Sequence, residues 1–286
     1  MTTAAPCPNR IELRAGPLEY RDRGSGPPVV FVHGLMTNGT LWRHVVDQLH
    51  DTHRCLSPDW PLGAHSLVQH RDADLTPQAM ASLVAEFMDR LDLRDVTLVA
   101  NDTGGAIAQL VAINHPDRLG RLVLTPCDAF DNFLPAMFRP LQYLARVPGL
   151  VGLILQTLRL RPLRRLPMAF GLLTKRPPPR AVVDGWLRPA QRKRGVRRDA
   201  EKFLRAIDSR ITIDAARHLP EFEKPVLLAW ASEDRVFPPE HARRLAELLP
   251  DVRVEWIGDS YSFVPEDQPA RLAELIASFA ADSQEG

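Results

Sequence analysis

Short, continuous apolar runs alternate along the chain with segments of helical period, and this alternation most constrains the fold. The runs lack the polar alternation of a strand with one solvated face, so they indicate strands that are buried on both faces. The five clearest runs are residues 29–32, 96–100, 122–124, 226–230 and 252–257, with a weaker one at 54–57. Strands of this kind between helices predict an α/β fold with a mostly parallel, doubly wound sheet.

Helical segments lie between these runs. Thr76 and Pro77 predict the start of a helix, because threonine is a favourable N-cap and proline is well suited to the first turn. Apolar residues then recur on one face through residue 91. We predict three further core helices at about residues 104–115, 239–249 and 268–281.

The stretch from residue 133 to residue 218 interrupts the alternation. Its helical spacing and many prolines predict an inserted helical cap over one core, formed by residues 1–132 and 219–286. Residues 133–198 hold 15 Lys and Arg and a single acid, Asp184, whereas the rest of the chain holds 21 Lys and Arg and 34 Asp and Glu. The formal net charge of +1 therefore conceals a strongly basic segment within an acidic body.

Composition and cysteine use narrow the class of protein. The chain has 45% hydrophobic and 25% charged residues, which is ordinary globular composition, and its net charge excludes a uniformly basic nucleic-acid binder. Cys7, Cys55 and Cys127 match no metal or redox spacing, and residues 1–14 lack the apolar core of a signal peptide. The longest apolar run, residues 147–158, is too short to span a bilayer. We expect a reduced, cytoplasmic protein without a metal or a cofactor.

A tight strand-to-helix turn holds the strongest candidate for chemistry. Residues 99–105 read Val-Ala-Asn-Asp-Thr-Gly-Gly, so the small residues Ala100 and Gly104 flank Asp102. Such a turn, known as a nucleophile elbow, lifts one side chain above the carboxyl edge of the sheet. A carboxylate in that place can displace a leaving group at carbon or open an epoxide, and either step forms an enzyme ester. The alternative is that Asp102 only caps the following helix.

Several motifs resemble a known family. The sequence reads His-Gly-Leu-Met at 33–36, Pro-Asp at 58–59, Asn-His-Pro-Asp-Arg at 114–118 and Pro-Glu-Asp-Gln-Pro at 265–269. With the Asp102 elbow, these motifs resemble the haloalkane dehalogenase and epoxide hydrolase branch of the α/β-hydrolase fold, over nearly the whole chain outside the cap. The resemblance implies that the backbone N–H groups of Leu35 and Thr103 line an oxyanion or halide pocket. We interpret the His33 side chain as structural, tying its strand to the following loop.

The catalytic histidine of that family has no counterpart at its usual place. The resemblance assigns the acid that orients this histidine to Asp234, or to Asp128 as in some relatives. Where the family has histidine before Val-Pro-Glu, residues 259–266 read Asp-Ser-Tyr-Ser-Phe-Val-Pro-Glu, which puts Ser262 at that position. A serine hydroxyl does not by itself activate water near neutral pH, so hydrolysis of an enzyme ester needs another base.

Two explanations for the missing histidine stay open. Another histidine, His65 or with less support His33 or His44, reaches Asp102. Otherwise Asp102 works alone, as a general base or as an electrostatic anchor. We therefore predict a hydrolase-like enzyme that acts on a small organic molecule through Asp102. The alternatives are a lyase or isomerase that uses Asp102 as a base, and a ligand-binding protein that has lost turnover.

Two further departures concern the leaving group. The resemblance implies that dehalogenases place tryptophan after the nucleophile, where its indole N–H helps to hold the halide, but Thr103 stands there. The resemblance also implies cap tyrosines that protonate the oxygen of an opening epoxide. Tyr143 is the one tyrosine of the insertion and therefore the candidate for that role, although its apolar neighbours also suit a core position.

The basic segment has three interpretations: a solvated surface, attraction of an anionic substrate, and weak docking on an acidic membrane surface. We favour the first two, because the four arginines of residues 159–165 repeat too densely to occupy one face of a helix. The pattern leaves the oligomeric state open.

Overall fold

The computed structural model describes residues 8–282, so Cys7 and the signal-peptide prediction for the first residues lie outside the described range. Eight strands form one sheet. In chain order they are β1 (Asn9–Leu13), β2 (Gly16–Arg23), β3 (Pro28–Val32), β4 (Arg54–Pro58), β5 (Val96–Asp102), β6 (Leu119–Cys127), β7 (Val226–Ala231) and β8 (Val252–Ile257). Across the sheet they lie in the order β1-β2-β4-β3-β5-β6-β7-β8.

Strands β3 to β8 run parallel, as the alternation of apolar runs with helices predicts. Every residue of β5 and of β7 is buried, which is the expected state of strands with helices over both faces. The predicted α/β fold with a mostly parallel, doubly wound sheet is therefore confirmed.

The sequence reasoning missed the antiparallel hairpin β1–β2, which pairs with β4 and forms one edge of the sheet. Along β2, buried residues alternate with partly exposed ones. Charged residues occupy the exposed face of β2, so its apolar residues recur at every second position and do not form a continuous run. A search for continuous apolar runs therefore misses this strand.

Helices flank the sheet and fill the insertion. They are α1 (Arg43–Leu49), α2 (Pro77–Arg90), α3 (Thr103–Asn114), α4 (Arg139–Leu144), α5 (Leu150–Thr157), α6 (Arg180–Arg192), α7 (Arg194–Ala206), α8 (Ser209–His218), α9 (Pro239–Leu248), α10 (Val264–Asp267) and α11 (Pro269–Asp282). The start of α2 is as predicted: the Thr76 hydroxyl accepts a hydrogen bond from the Ala79 N–H at 3.3 Å, and Pro77 occupies the first turn.

Helices α4 to α8 lie between β6 and β7, in the stretch that we assign to the cap. The boundaries of that cap at residues 133 and 218 stay a prediction. Short polar contacts join this region to the core: the Trp186 indole donates to the Thr40 hydroxyl at 2.9 Å, and the Thr174 hydroxyl donates to Asp267 at 2.8 Å. Among residues 8–282, no helix is long and apolar enough to cross a membrane.

Candidate active site

Asp102 lies at the turn between β5 and α3, in a backbone conformation that few L-amino acids adopt. Its φ of 57° and ψ of −137° lie outside the favoured regions, and such strain persists where the surrounding structure enforces it. Two glycines make the turn possible. A Cβ on Gly34 would lie 2.2 Å from Asp102 Oδ1, and a Cβ on Gly104 would lie 2.4 Å from the Val32 carbonyl oxygen. The predicted elbow is therefore present.

The Asp102 carboxylate accepts hydrogen bonds from both amides that the resemblance assigns to substrate. The Thr103 N–H donates to Oδ1 at 2.6 Å, and the Leu35 N–H is also a donor to this carboxylate. Burial raises the pKa of Asp102, and the bonds from Thr103 and Leu35 partly offset that effect. The two amides therefore bind the carboxylate of Asp102 itself. Asp102 caps α3 through the Thr103 N–H and also lines the cavity, so the two interpretations are compatible.

Two more buried acids lie near Asp102. Burial raises the pKa of Asp128 well above its ordinary value, and the Asp102 charge adds to this effect. Burial likewise raises the pKa of Asp234 to about 7, although N–H groups of Val236 and Phe237 each donate to its Oδ1 at 2.7 Å. Neither Asp128 Oδ1 nor Asp234 Oδ2 has a hydrogen-bond partner within the described chain. The site thus concentrates carboxyl groups that compete for ionisation.

Ser262 takes the place of an imidazole beside Asp234. Its hydroxyl donates to Asp234 Oδ1 at 3.0 Å, and both side chains are buried. The structure therefore brings positions 234 and 262 together as the resemblance implies. The catalytic roles of these two residues stay predictions. Asp128 is held separately, by a bond of 3.1 Å from the Thr103 hydroxyl.

The histidines considered as substitutes have other contacts. His33 Nε2 accepts from the Trp60 N–H at 2.9 Å, its Nδ1 bonds the Gly34 carbonyl, and burial lowers its pKa to about 3. This is the structural role that we assign to it. His65 Nε2 lies 3.3 Å from Asp199 on α7, and His44 is exposed on α1. In the described part of the chain, none of the three makes a hydrogen bond to Asp102, so the substitute-base hypothesis lacks a geometric basis.

A cavity of about 130 Å³ lies above the elbow. Asp102 is the only one of its eighteen lining residues that carries an ionisable group, and the others are apolar. Tyr143 is not among them: its side chain is 62% exposed, so the core interpretation is wrong, and its role as the epoxide acid stays a prediction without a contact to the cavity. No arginine lines the cavity either, so the attraction of an anionic substrate by the basic segment stays a prediction and does not involve a contact in this cavity.

Sequence reasoning missed the cavity wall and a positioning residue. Val151, Leu155 and Leu158 line the cavity from α5 and its end, at the i, i+4, i+7 spacing that marks one helix face. That signal was available in the sequence.

The sequence analysis did not include Asn101. Its Nδ2 donates to the Ser262 carbonyl at 2.7 Å and to the Thr125 hydroxyl at 2.8 Å. These bonds tie the end of β5 to the neighbouring strand β6 and to the segment after β8 that contains Ser262. Among residues 8–282, no cluster of three or more metal-ligating side chains occurs.

Comparison with known proteins agrees with this geometry. A family model described as alpha/beta hydrolase fold matches residues 27–269. Haloalkane dehalogenase 2 of Mycobacterium tuberculosis is 29% identical over 267 residues, which cover 91% of this chain and 90% of that protein. The cis-3-alkyl-4-alkyloxetan-2-one decarboxylase of Shewanella oneidensis is 27% identical over 282 residues, which cover 93% and 86%.

Solved structures share the fold. Haloalkane dehalogenase DbeA of Bradyrhizobium elkani superimposes with a TM-score of 0.77 at 21% identity, and the alignment covers 96% of this chain and 99% of that one. The sheet, the elbow and the family match over most of the chain lead to one assignment. The protein belongs to the α/β-hydrolase fold family, as a hydrolase-like enzyme.

Proposed function

We propose that the Asp102 carboxylate attacks a carbon atom of a small apolar electrophile and forms an enzyme ester. One observation carries this proposal: Asp102 sits on a strained elbow as the single ionisable side chain of an otherwise apolar cavity. Burial strips water from this carboxylate, which makes it a stronger nucleophile once it is ionised. A hydroxyl nucleophile would need a neighbouring base, whereas an ionised carboxylate attacks without one.

The cavity favours a leaving group that needs no protein proton. An opening epoxide leaves as an alkoxide that requires an acid, and a haloalkane releases an ion that benefits from N–H donors. The cavity lining contains neither a tyrosine nor a tryptophan. Among electrophiles at carbon, a strained lactone meets this condition, because its leaving group is a carboxylate of low basicity that stays attached to the substrate.

A second candidate function follows from the serine at position 262. A reaction that breaks the Asp102 ester without water needs no imidazole base, and one relative is named an oxetanone decarboxylase. In such a reaction Asp102 attacks the saturated ring carbon that is bonded to the ring oxygen, and not the carbonyl carbon. The bond between this carbon and the ring oxygen breaks and leaves a free carboxylate. The electrons of the carbon–carboxylate bond then form an alkene, CO₂ leaves, and the bond to Asp102 breaks to regenerate the carboxylate. Neither a proton nor water is consumed.

One experiment tests both functions on the same protein. Wild type and the variants Asp102→Asn and Ser262→His are incubated with a 1-haloalkane, a terminal epoxide and a dialkyl β-lactone, and the intact mass of the protein is measured. We expect wild type to gain the mass of the opened lactone more readily than that of the alkyl group or of the opened epoxide, because the cavity lining offers no tyrosine or tryptophan to these two leaving groups. Asp102→Asn should gain nothing. An adduct that persists in Asp102→Asn would remove Asp102 from the proposal.

Ser262→His separates hydrolysis from the lyase reaction. The new imidazole would lie beside Asp234, so we expect it to speed release of an adduct by roughly 10²–10⁴-fold, the usual effect of one positioned acid–base group. The products formed from the lactone in water labelled with oxygen-18 give the second readout. If wild type releases alkene and CO₂ and no product carries the label, the lyase reaction is favoured. Labelled hydroxy acid from wild type would favour hydrolysis and would mean that a base acts there without an imidazole at position 262.

A further inference from the structure

Exposed large hydrophobic side chains concentrate in one part of the insertion. Among the described residues, two such side chains lie outside this part of the sequence, Val68 and Trp256. The other six are about half exposed or more and fall within residues 143–168, which we call the cap surface: Tyr143, Val147, Leu153, Leu160, Leu166 and Met168. Scattered exposed hydrophobics need no explanation, but a concentration of this kind marks an interaction surface.

Successive turns keep three of these side chains within one compact segment. The Leu163 N–H donates to the Leu160 carbonyl at 3.1 Å, the Leu166 N–H donates to the Leu163 carbonyl at 3.3 Å, and the Ala169 N–H donates to the Leu166 carbonyl at 2.9 Å. Arg161–Arg165 is accordingly a 3-10 turn and not part of an α-helix. The sequence argument against membrane docking assumed a single helix face, so it does not apply to this segment.

Unneutralised positive charge accompanies the exposed apolar side chains. Arg159, Arg161 and Arg165 are exposed, and no carboxylate of the described chain lies within ion-pair distance of them. Next to them, a surface groove of about 550 Å³ is lined by no acidic residue and by five cationic ones. These are Arg161, Arg164, Arg165, Lys175 and Arg180. Three of the five have carboxylate partners: Arg164 and Arg180 pair with Asp184 at 2.8 and 3.4 Å, and Lys175 pairs with Glu233 at 2.6 Å. Arg161 and Arg165 therefore carry the unpaired charge of this groove.

The cap surface also borders the cavity that contains Asp102. Met168 lines that cavity and is nevertheless 58% exposed, so the cavity meets solvent at this residue. Phe170 lines both the cavity and the basic groove, which makes it part of the wall between them. The segment of residues 160–170 thus joins exposed apolar side chains and arginines to the wall of the cavity.

We propose that the cap surface docks on an anionic lipid surface, with the apolar side chains among the acyl chains and the arginines at the phosphate groups. The positive charge of the cap surface favours an anionic lipid surface over a second copy of this chain as the partner. A symmetric pair would set two segments of strong positive charge against each other, whereas anionic lipid neutralises them. The docking does not depend on Asp102. Only its consequence, the entry of an apolar substrate from the lipid through Met168, rests on the proposed function.

The test is co-sedimentation of the full chain with vesicles, without substrate. We expect binding to vesicles of phosphatidylcholine that contain phosphatidylglycerol, little binding to phosphatidylcholine alone, and release by salt. Arg161→Gln/Arg165→Gln should weaken binding about 25-fold, since each arginine near an anionic surface contributes about fivefold. Leu160→Ser/Leu166→Ser should weaken it about tenfold or more. Asp102→Asn should bind as wild type does, which keeps this test separate from the proposed chemistry.

The matched control is Arg210→Gln/Arg217→Gln, which removes the same charge from exposed positions on α8. We expect this variant to bind nearly as well as wild type. Equal weakening by both arginine pairs would reduce the effect to net charge and overturn the proposal. Equal sedimentation with neutral and anionic vesicles, or a dimer in light scattering that Leu160→Ser/Leu166→Ser disrupts, would overturn it as well.

Discussion

Asp234 is a buried carboxyl whose proton the folded protein holds more tightly than the unfolded chain does. Its pKa is about 7 in the folded state, because burial outweighs three hydrogen bonds, against about 3.9 in an unfolded chain. The stability that it contributes is fully present below about pH 4 and is lost as the pH rises toward 7. Asp234→Asn should remove this dependence while it keeps an acceptor oxygen for Ser262.

The measurement is the free energy of unfolding in urea, between pH 5 and pH 8. Relative to Asp234→Asn, wild type should lose stability across this interval by a few kcal/mol, with about 4 kcal/mol as the upper bound for a shift of three pKa units. Asp51→Asn is the control, because the Asp51 side chain is 88% exposed. Parallel pH profiles for wild type and Asp234→Asn would contradict the assignment.

At the scale of elements, the elbow depends on a close approach between α3 and β3. A Cβ at Gly104 would lie 2.4 Å from the Val32 carbonyl oxygen and 2.7 Å from the His33 carbonyl oxygen, and both are backbone atoms of a buried strand end. Gly104→Ala should therefore destabilise the protein by about 1–3 kcal/mol through overpacking. Because α3 would shift away from β3, the yield of the Asp102 adduct should fall as well.

Gly185→Ala provides the contrast within the same protein. Gly185 lies inside α6, and a Cβ there would meet no atom within 4 Å. Alanine in a helix interior should stabilise the chain by about 0.5–1 kcal/mol, because it restricts the unfolded backbone. Thermal unfolding and adduct mass would be measured for both variants. Equal stability of Gly104→Ala and wild type would show that the elbow tolerates a wider separation.

For the whole molecule, Asp199 connects the insertion to the core. This fully buried carboxylate on α7 accepts from the Gln69 N–H at 2.9 Å, from Arg198 at 2.7 Å and from His65 at 3.3 Å. Burial alone would raise the pKa of Asp199, but the bonds from His65, Gln69 and Arg198 outweigh it and lower the pKa. The carboxylate therefore stays charged while it holds α7 against the loop that contains His65.

Asp199→Ala should destabilise the protein by about 2–4 kcal/mol, because the buried His65 side chain and the Gln69 N–H lose their hydrogen-bond acceptor. It should also raise protease sensitivity in residues 65–73, since the loop loses its contact with α7. Glu240→Ala is the control: it removes an exposed ion pair with Arg243, so its effect should stay below about 1 kcal/mol. If the two variants unfold at the same urea concentration, Asp199 does not join cap and core.

The sequence by itself determined the parallel sheet and the elbow, because both depend on local patterns. Continuous apolar runs mark β5 and β7 whatever lies elsewhere in the chain, and a small–Asn–Asp–Thr–Gly turn after a strand has few geometries available. The absence of histidine at position 262 is also visible in the sequence. The β1–β2 hairpin was missed, since strands at an open edge resemble polar loops.

Only the tertiary structure decided what surrounds Asp102. The contacts of Ser262 with Asp234, of Asn101 with Ser262 and of His65 with Asp199 join residues 28, 161 and 134 positions apart, so no local pattern specifies them. The apolar lining of the cavity likewise depends on which faces of the insertion turn inward, and this placed Tyr143 and the arginines outside. Burial sets the ionisation of the site's carboxyl groups, and burial is a property of the packed chain.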